Sequence, residues 1–389
     1  MDYQNQIKAF ANYFKQAESK KEKHKIGVEF EHLILNQNLT AVSYFEEKGI
    51  ENLLYKLSSS NSWEKVTENQ RLVGLKSPQK TVSLEPGGQL ELSITPFADL
   101  KKIENIYLDF IEELAEILNK WDQKIAVLGY QPENSIKDIP LLPKKRYDYM
   151  YKYFKKKGKY AHNMMKGTAS VQMSIDYTDE KDYIKKMRVG YFLSPLIYYL
   201  FDNTPFFEEQ KSAGSSIRED IWSNCDSQRS GTIAGIFDKK FGYSDYAEYL
   251  LNIPPIIRKA KGELFYTDNK LLKDVMKNDK LEEVEHFLSM VFPDVRTKKY
   301  IEIRSADALP YPYNFAFIAL LKNLIYSQKN LDYLYQQSLK YTQNEFLNFK
   351  KEIIEAEKNP IREKLIKKII EIAKTEAPEE ELHHLKSVE

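Results

Sequence analysis

Glutamates recur at alternate positions in several short segments of this sequence. In GVEFE, Glu29 and Glu31 are separated by one apolar residue, and in GQLELS, Glu91 lies between two leucines. Alternation with a period of two is the pattern of a strand with one apolar and one polar face. The polar faces of these segments together carry six acids, one arginine and no lysine, namely Glu29, Glu31, Glu85, Glu91, Asp176, Glu302 and Arg304.

Carboxylates at this density repel one another unless cations neutralise them. In one interpretation, each polar face is simply exposed to water on a half-buried sheet. In the other, the strands lie side by side and their carboxylates bind divalent metal ions, and Mg²⁺ between protein oxygens and nucleotide phosphates fits best. The nearly uniform charge of these faces in a lysine-rich chain favours the metal site, to which Gln172 would add a neutral oxygen.

The segment SLEPGGQLELS places Pro86, Gly87 and Gly88 between Glu85 and Glu91. A bend without bulky side chains would let the two glutamates converge and would let a ligand approach the backbone. The sequence contains no G-x-x-x-x-G-K-[ST] or G-x-G-x-x-G motif. We therefore expect any nucleotide phosphates to be held by metal ions and arginines.

The elements that must position these residues are strands scattered among long helices. Helical spacing is clearest over residues 99–121, where apolar residues recur at helical intervals. Further helices are predicted over 3–18, 45–60 and 180–202, beyond 312, and from Asn359-Pro360 onward. Strands are predicted over 25–35, 71–95, 168–177 and 298–307, and an ordered loop over 204–245. Because no regular βαβ rhythm is present, the pattern predicts an α+β fold with an antiparallel sheet.

Bulk properties narrow the class of protein. The chain has 389 residues, and its formal net charge of +1 argues against binding nucleic acid or membranes through net charge. A single cysteine, Cys225, rules out an intramolecular disulfide and favours a reducing compartment. The N-terminus lacks the apolar core of a secretory signal, and the longest apolar run, 191–201, is shorter than the ~20 residues of a membrane span. We expect a cytoplasmic protein.

Longer motifs point to a family. The chain contains, in order, IGVEFEH, SLEPGGQLELS, PKKRYDYM, TASVQMSID, SSIREDIWSNCDSQRSG, FDKKFGYSDYAEYLL and FPDVRTKKYIEIRSADALP. Together these motifs resemble the plant-type glutamate–cysteine ligase family (gamma-glutamylcysteine synthetases), which includes bacterial members such as the ligase of the ergothioneine pathway. The resemblance covers residues 25–330.

The resemblance implies a fold similar to that of glutamine synthetase, with a curved antiparallel sheet forming a funnel flanked by helices. It implies a reaction in which ATP phosphorylates the side-chain carboxylate of L-glutamate. The amine of L-cysteine then attacks the acyl phosphate and releases gamma-glutamylcysteine, ADP and phosphate. The implied cofactors are ATP and two or three Mg²⁺ ions, with Mn²⁺ as an alternative.

The resemblance also implies roles for individual residues. The metal ligands would be Glu29, Glu31, Glu85, Glu91, Gln172 and Glu302. Glu302 and Arg304 would be catalytic, and Arg304 could bind both the phosphoryl group and a substrate carboxylate through its bidentate fork. Arg218 matches the family's arginine for the α-carboxylate of glutamate. Further substrate contacts are expected from Arg229, Arg146, Tyr149 and Trp222.

Alternatives stay open at this point. The acceptor could be an amine other than cysteine, or the chain could be a non-catalytic nucleotide-binding relative. The stretch KKRYDYMYKYFKKKGK (144–159), with eight basic residues and four tyrosines, raises RNA binding as a further alternative.

We expect L-glutamate and an amine as partners, neither nucleic acid nor membrane, and a monomer or homodimer. We expect a catalytic domain over 1–335, a packed helical extension over 336–375 and a frayed tail over 376–389.

Overall fold

The computed structural model describes residues 1–60, 63–211, 216–238, 241–260 and 262–388. Its α-helices are α1 (Tyr3–Gln16), α2 (Ile50–Ser60), α3 (Leu100–Asn119), α4 (Lys145–Phe154), α5 (Ala161–Gly167), α6 (Glu180–Leu200), α7 (Ile217–Ser223), α8 (Tyr243–Leu251), α9 (Leu272–Val275), α10 (Leu281–Leu288), α11 (Tyr313–Ile325), α12 (Gln328–Ser338), α13 (Gln343–Glu355), α14 (Pro360–Glu376) and α15 (Leu382–Lys386). Short 3₁₀ turns lie at Lys21–Lys23 and Glu379–Glu381.

The strands are β1 (Ile26–Asn36), β2 (Glu64–Glu68), β3 (Arg71–Lys76), β4 (Lys80–Leu84), β5 (Leu90–Phe97), β6 (Gln123–Ala126), β7 (Ser170–Ile175), β8 (Phe206–Phe207), β9 (Gln210–Lys211), β10 (Ser230–Gly231), β11 (Ile257–Ala260), β12 (Glu263–Tyr266), β13 (Phe292–Pro293), β14 (Val295–Thr297) and β15 (Ile301–Asp307). Nine of them form one sheet in the order β14-β15-β7-β1-β5-β4-β3-β2, with β6 also paired to β1. Every pairing in this sheet is antiparallel. The α+β fold class predicted from the sequence is confirmed.

One face of the central strands is apolar and covered by helices. Val28 and Phe30 of β1 and Leu92 of β5 are buried in the main core. The ring of Phe30 lies 4.4 Å from that of Tyr107 on α3 and 5.8 Å from that of Phe315 on α11. Burial of this face fixes the strand registers, since a slip by one residue would turn the apolar side chains away from the helices. The acidic positions therefore face the opposite side.

The hairpin between β4 and β5 is closed by the Pro-Gly-Gly bend. The N–H of Gly88 donates to the carbonyl of Glu85 at 2.9 Å, and Gly88 has a φ of +90°. Such a conformation is what a short hairpin loop of this kind demands of its last residue. At Gly87 a side chain would collide with the backbone of Lys166. At Gly87, the close approach that the bend permits is made by the α5 segment.

Most predicted elements occur, with shifted ends. The predicted helix over 45–60 begins at Ile50, and residues 71–95 contain three strands because β3 precedes the hairpin. The predicted loop over 204–245 includes helix α7 and short strands; its residues 212–215 and 239–240 lie outside the described residues. Within the described ranges, no helix has the length and apolar character needed to cross a membrane.

The C-terminal helices pack on the rest of the molecule through a shared core. Phe349 of α13 stacks on Phe192 of α6 with ring centroids 5.7 Å apart. Helix α12 spans the expected domain boundary at 335/336, and the division into domain and extension stays a prediction.

The expectation of a frayed tail after residue 376 is wrong. Residues Leu382–Lys386 form helix α15, in which Leu385 is completely buried. The carboxylate of Glu381 accepts hydrogen bonds from Lys322 and from Asn323 on α11. The terminal segment is held by both apolar and charged contacts.

Replacing Leu385 with alanine should lower the free energy of unfolding by about 2–5 kcal/mol, because it removes a buried side chain and leaves a cavity. Chemical denaturation monitored by circular dichroism would measure the change. The matched control is Leu347→Ala on α13, where the leucine is 44% exposed and the effect should be about 0.5 kcal/mol or less. Equal stability of Leu385→Ala and the wild type would contradict the packed terminus.

Candidate active site

Strand register brings the glutamates together. Glu31 of β1 lies directly opposite Glu91 of β5, and Ser83 of β4 flanks Glu91 on its other side. On the opposite edge of β1, Glu29 pairs with Gln172 of β7. Like charges directly across a pair of strands are destabilising by themselves. We call Glu29, Glu31, Glu85 and Glu91 the acidic face.

The acidic face lines a cavity of about 500 Å³, here called the central cavity. All four glutamates border it, together with Gln172. Five cationic side chains border the same space, namely Lys144, Arg146, Arg296, Lys298 and Arg304, and Glu68 and apolar residues such as Val66 and Val73 complete the lining. A cavity with carboxylates on one wall and cations on the other suits a ligand that carries both metal ions and anionic groups.

A smaller cavity of about 70 Å³ adjoins the central one and shares Glu31, Glu85 and Arg304 with it. Arg218 and Trp222 of α7 also line this small cavity. Arg218 is 3% exposed, and its Nη1 has no hydrogen-bond partner. A buried, unpaired guanidinium nitrogen is costly, so this atom marks a place for an acceptor group from a ligand.

A third cavity of about 280 Å³ adjoins the central one at Glu29 and Thr81. It is bordered by apolar residues such as Val28 and Ile94 and by the polar side chains of Ser93 and Tyr300. The three cavities therefore form a continuous series along one face of the sheet.

Burial and mutual repulsion raise the pKa values of Glu29, Glu31 and Glu91. Burial, together with the charges of Glu91 and Glu302, raises the pKa of Glu29 to about 7. Burial, together with Glu85 and Glu91, raises the pKa of Glu31 to about 8. Burial and Glu85 raise the pKa of Glu91 as well, although Ser83 and Ser93 donate hydrogen bonds to its Oε1 at 2.8 and 3.1 Å. The face thus lacks enough cations for its carboxylates.

Glu302 has the opposite environment. Its Oε2 accepts hydrogen bonds from Arg296 and Arg304, both at 2.7 Å. Its Oε1 accepts from Lys298 at 3.1 Å. Burial by itself would raise the pKa of Glu302, but the three cations outweigh it and hold this pKa well below the ordinary value. The predicted role of Glu302 as a metal ligand does not match this arrangement, because its oxygens are occupied by cations and it does not border the central cavity.

Arg304 lies where the ladder between β15 and β7 is irregular. The register shifts between Ile303 and Ala306, which marks a bulge. The carbonyl of Arg304 accepts hydrogen bonds from Nε and Nη2 of Arg218 at 3.1 and 2.9 Å, and its N–H donates to the carbonyl of Asp294 at 3.1 Å. The backbone of the predicted catalytic residue Arg304 therefore orients the guanidinium of Arg218, which was predicted to bind substrate.

Gln172 links the acidic face to Arg304. Its Nε2 donates to Glu31 at 2.8 Å, and its Oε1 accepts a hydrogen bond from Arg304. The amide oxygen predicted to bind metal is thus directed at a guanidinium in this structure, although the residue itself lies in the predicted place.

Comparison with known proteins identifies the family of this chain. The model of glutamate-cysteine ligase family 2 (GCS2) matches residues 25–383. The chloroplastic glutamate–cysteine ligase of Nicotiana tabacum is 32% identical over 365 residues, covering 90% of this chain and 68% of that protein. The corresponding protein of Arabidopsis thaliana is 30% identical over 361 residues, covering 90% and 69%.

Among solved structures, a glutamate–cysteine ligase from Francisella tularensis in complex with AMP superposes with a TM-score of 0.55 at 11% identity, covering 94% of this chain and 81% of that one. At this identity the likeness concerns the fold alone, and it supports the glutamine synthetase-like architecture. The chain belongs to glutamate–cysteine ligase family 2. It is a ligase.

The structure brings together most of the residues predicted for the site of this ligase, and two predicted substrate contacts lie outside it. Arg229 is fully buried elsewhere and donates to Asp226, Tyr153 and two backbone carbonyls. The hydroxyl of Tyr149 lies 3.4 Å from the carbonyl of Leu264, and its ring stacks on Tyr266. Both predictions of substrate contact are wrong, since Arg229 has a structural role and neither residue borders the three cavities.

Arg146 does border the central cavity of the ligase, where it donates to the side chain and carbonyl of Ser289 at 3.1 and 2.9 Å. The basic stretch that contains it is mostly helix α4, with Tyr147 and Tyr153 buried. Lys144 donates to the carbonyl of Leu84 at 2.9 Å and also borders the cavity. The aromatic residues of the stretch thus pack inward, and the cations at its start belong to the site.

A separate group of His and Glu side chains lies near the C-terminus. In the described part of the chain, Glu104, His383 and His384 are the group of three such donors within 4.8 Å of one another. Lys101 at 2.8 Å and Tyr311 at 2.9 Å already occupy the oxygens of Glu104. We interpret this group as a polar attachment of α15 to α3.

Sequence reasoning missed three cationic residues of the site, Arg296, Lys298 and Lys144. Arg296 lies opposite Glu302 in the β14–β15 pair, and Lys298 follows in the turn between these strands. The segment VRTKKYIEIR carried a signal, because a basic and an acidic residue at hairpin-like spacing can face each other.

The metal-free ligase should lose stability as the pH rises through the range in which Glu29 and Glu31 titrate. The unfolded glutamates lose their protons near pH 4.5, whereas the folded protein keeps them up to about pH 7 and 8. Between these values the folded state binds more protons than the unfolded state, so stability falls with pH. Glu31→Gln should be about 1–3 kcal/mol more stable than the wild type at pH 8.5 and nearly equal to it at pH 5.

Urea denaturation in EDTA at both pH values would test this expectation. Glu116→Gln on the exposed side of α3 serves as the control and should follow the wild type at both pH values. A difference between Glu31→Gln and the wild type that is the same at pH 5 and pH 8.5 would contradict the raised pKa. Addition of Mg²⁺ at pH 8.5 should stabilise the wild type more than the variant, since the variant has lost one carboxylate of the acidic face.

Proposed function

We propose that this ligase forms a gamma-glutamyl amide from ATP, L-glutamate and an amine, with L-cysteine as the acceptor, through a gamma-glutamyl phosphate. The observation that carries the proposal is the continuity of the three cavities along the acidic face. Membership in the family and the names of its plant members support glutamate and cysteine as substrates.

The small cavity is assigned to L-glutamate. The unpaired Nη1 of Arg218 would donate a charge-assisted hydrogen bond to the α-carboxylate, which supplies its missing partner. Glu31, Glu85 and Arg304 border both the small and the central cavities. A glutamate held by Arg218 would therefore extend its side chain toward the residues that also border the central cavity.

The acidic face fits divalent metal ions. Its donors are carboxylate oxygens, which Mg²⁺ prefers, and the raised pKa values of Glu29, Glu31 and Glu91 indicate that these three need positive charge. Among the described residues no three of these carboxylates converge within 4.8 Å, so oxygens from a second source would complete the coordination. Glu29, Glu31, Glu85 and Glu91 would hold the ions. When bound, Mg²⁺ would neutralise the phosphate chain and polarise the transferring phosphoryl group.

The nucleotide is assigned to the central cavity and the adjoining third cavity. The phosphates would lie between the acidic face and the cationic wall of Arg146, Arg296 and Lys298. Pro96 and the ring of Tyr300, which border the third cavity, suit a base or ribose. The relative from Francisella tularensis was solved with AMP, which agrees with a nucleotide site in this fold.

The residues of this chain would act mainly by positioning and by charge. Arg304 borders both cavities, so its guanidinium would bind the phosphoryl group as it moves from the nucleotide to the γ-carboxylate. Glu302 and Gln172 fix that guanidinium through direct hydrogen bonds. The neutral amine would then attack the acyl carbon, form the amide bond and release phosphate.

The apolar residues at the border of the small cavity would lie beside the bound L-glutamate, and they favour a compact acceptor there. Met150, Met164 and Met165 border this cavity together with Phe292 and Trp222. Thioether and aromatic groups make favourable contacts with sulfur-containing and other polarizable side chains. A thiol side chain suits these residues better than a charged one, which supports L-cysteine.

The acceptor is tested by measuring ADP release with Mg-ATP and L-glutamate against a panel of amino acids and simple amines. We expect release with L-cysteine to exceed release with L-serine and glycine by about tenfold or more, the effect of about 1.4 kcal/mol of selective binding. Mass spectrometry of the product should give gamma-glutamylcysteine. Release only with another amine would refute the acceptor and retain the chemistry, and retention on RNA without ADP release would refute both.

Arg304→Ala and Glu302→Gln should each lower kcat by about 10²–10³-fold or more. Arg304 would bind the transferring phosphoryl group, and Glu302 holds the guanidinium of Arg304 in place. Circular dichroism and thermal denaturation would establish that the variants are folded. Glu376→Gln, which removes an ion pair between Glu376 and the exposed Lys329, is the control and should retain wild-type rates. Near-normal turnover in both site variants would refute the assigned centre.

A further inference from the structure

A buried lysine from the C-terminal helices is connected to Arg218 and Arg304 through two carboxylates. Lys350 of α13 is 7% exposed. Its Nζ lies 2.9 Å from Oδ2 of Asp294 and 3.3 Å from Oε1 of Glu219. The two carboxylates belong to different parts of the fold, since Asp294 directly precedes β14 and Glu219 lies on α7. One ammonium group therefore bridges a sheet edge and a short helix.

Asp294 connects Lys350 to Arg304. The carbonyl of Asp294 accepts the N–H of Arg304 at 3.1 Å, at the bulge of β15. Its Oδ1 accepts the hydroxyl of Tyr198 at 2.7 Å, so both side-chain oxygens are engaged. The position of Arg304 thus depends on a residue that the C-terminal helix holds by an ion pair.

Glu219 connects Lys350 to Arg218, its neighbour in the chain. Helix α7 has only seven residues, and side-chain contacts are therefore needed to fix its position. Arg218 is bound to the carbonyl of Arg304, while Glu219 is bound to Lys350. Lys350 thereby acts on both arginines through Asp294 and Glu219 and borders none of the three cavities.

We propose that Lys350 is a positioning residue for L-glutamate, which sets the separation of Arg218 and Arg304 by bridging Glu219 and Asp294. The inference rests on the proposed function, because it takes Arg218 as the contact to the α-carboxylate. It also assigns a role to the C-terminal helices, which border none of the three cavities but hold the arginines that do.

The environment of Lys350 stabilises its charged form. Burial disfavours the ammonium form, but Asp294 and Glu219 more than offset this effect, and the pKa of Lys350 lies above its ordinary value. Replacement by methionine keeps the length of the side chain and leaves two carboxylates facing each other without a cation. Their repulsion would move α7 away from β14, and Arg218 would move with it.

The test compares Lys350→Met with Lys350→Arg and with Lys351→Met. Lys351 is the neighbouring residue on α13, with a side chain 71% exposed, and its ion pair with Glu355 is 3.9 Å long. Lys350→Met should raise the KM for L-glutamate about tenfold, the loss of about one charge-assisted hydrogen bond, with the KM for ATP within about twofold of the wild type. Lys350→Arg should recover most of the difference, and Lys351→Met should match the wild type.

An unchanged KM for L-glutamate in folded Lys350→Met would overturn the inference, as would equal increases in both KM values. Should Lys350→Met fail to fold, Glu219→Gln decides, because it weakens the same bridge and keeps the pair of Lys350 with Asp294. It must raise the KM for L-glutamate selectively, and an unchanged value would overturn the inference.

Calorimetric titration with L-glutamate separates this inference from the proposed reaction. A wild-type chain that binds L-glutamate but releases no ADP with any amine would refute the proposed reaction. The positioning role would then require about tenfold weaker L-glutamate binding in Lys350→Met than in the wild type. Equal affinity of the two proteins would overturn it.

Discussion

The main physical constraint on this structure is the repulsion among carboxylates that share one buried face of the sheet. Glu31 is placed directly opposite Glu91 by the pairing of β1 with β5, and the apolar side chains on the other face prevent that register from changing. The repulsion cannot be relieved by a slip of the strands. Either protonation or cations from outside the chain can relieve it. The raised pKa values of Glu29 and Glu31 show the tendency of these carboxyl groups to keep their protons. A fold that maintains such a face is organised to receive positive charge.

The cations of the chain itself are placed beside this face and not within it. The carboxylate of Glu302 accepts hydrogen bonds from Arg296, Lys298 and Arg304, so that both of its oxygens are occupied. Negative and positive charges therefore lie on different walls of the cavity. The glutamates form the negatively charged wall, and Glu302 holds the cationic wall in position. An anionic phosphate chain accompanied by metal ions complements both walls at once, and neither component complements them alone.

Local patterns predicted much of this arrangement, and the failures have physical causes. Alternation identified the strands of Glu29, Glu91, Gln172 and Glu302, because period two is a property of the chain that burial of one face preserves. Arg229 was misassigned because an arginine in a loop gives no local sign of whether its donors meet a ligand or buried carbonyls. The ordered C-terminus was missed because the burial of Leu385 depends on helices distant in sequence. The methionines that border the small cavity were missed, since they come from α4 and α5, which are distant in sequence from the strands of the acidic face.

A sequence motif identified Arg304 as a site residue but did not predict the contacts that its backbone makes. Its side chain meets Glu302 and Gln172, as alternation along β15 would suggest. Its backbone, however, is freed from regular pairing with β7 by the bulge, and it binds Asp294 through the N–H and Arg218 through the carbonyl. A single residue thus joins the cationic wall, the small cavity and, through Asp294, the C-terminal helices. Because the bulge makes these backbone groups available, the local loss of sheet pairing is what allows distant parts of the chain to define one site.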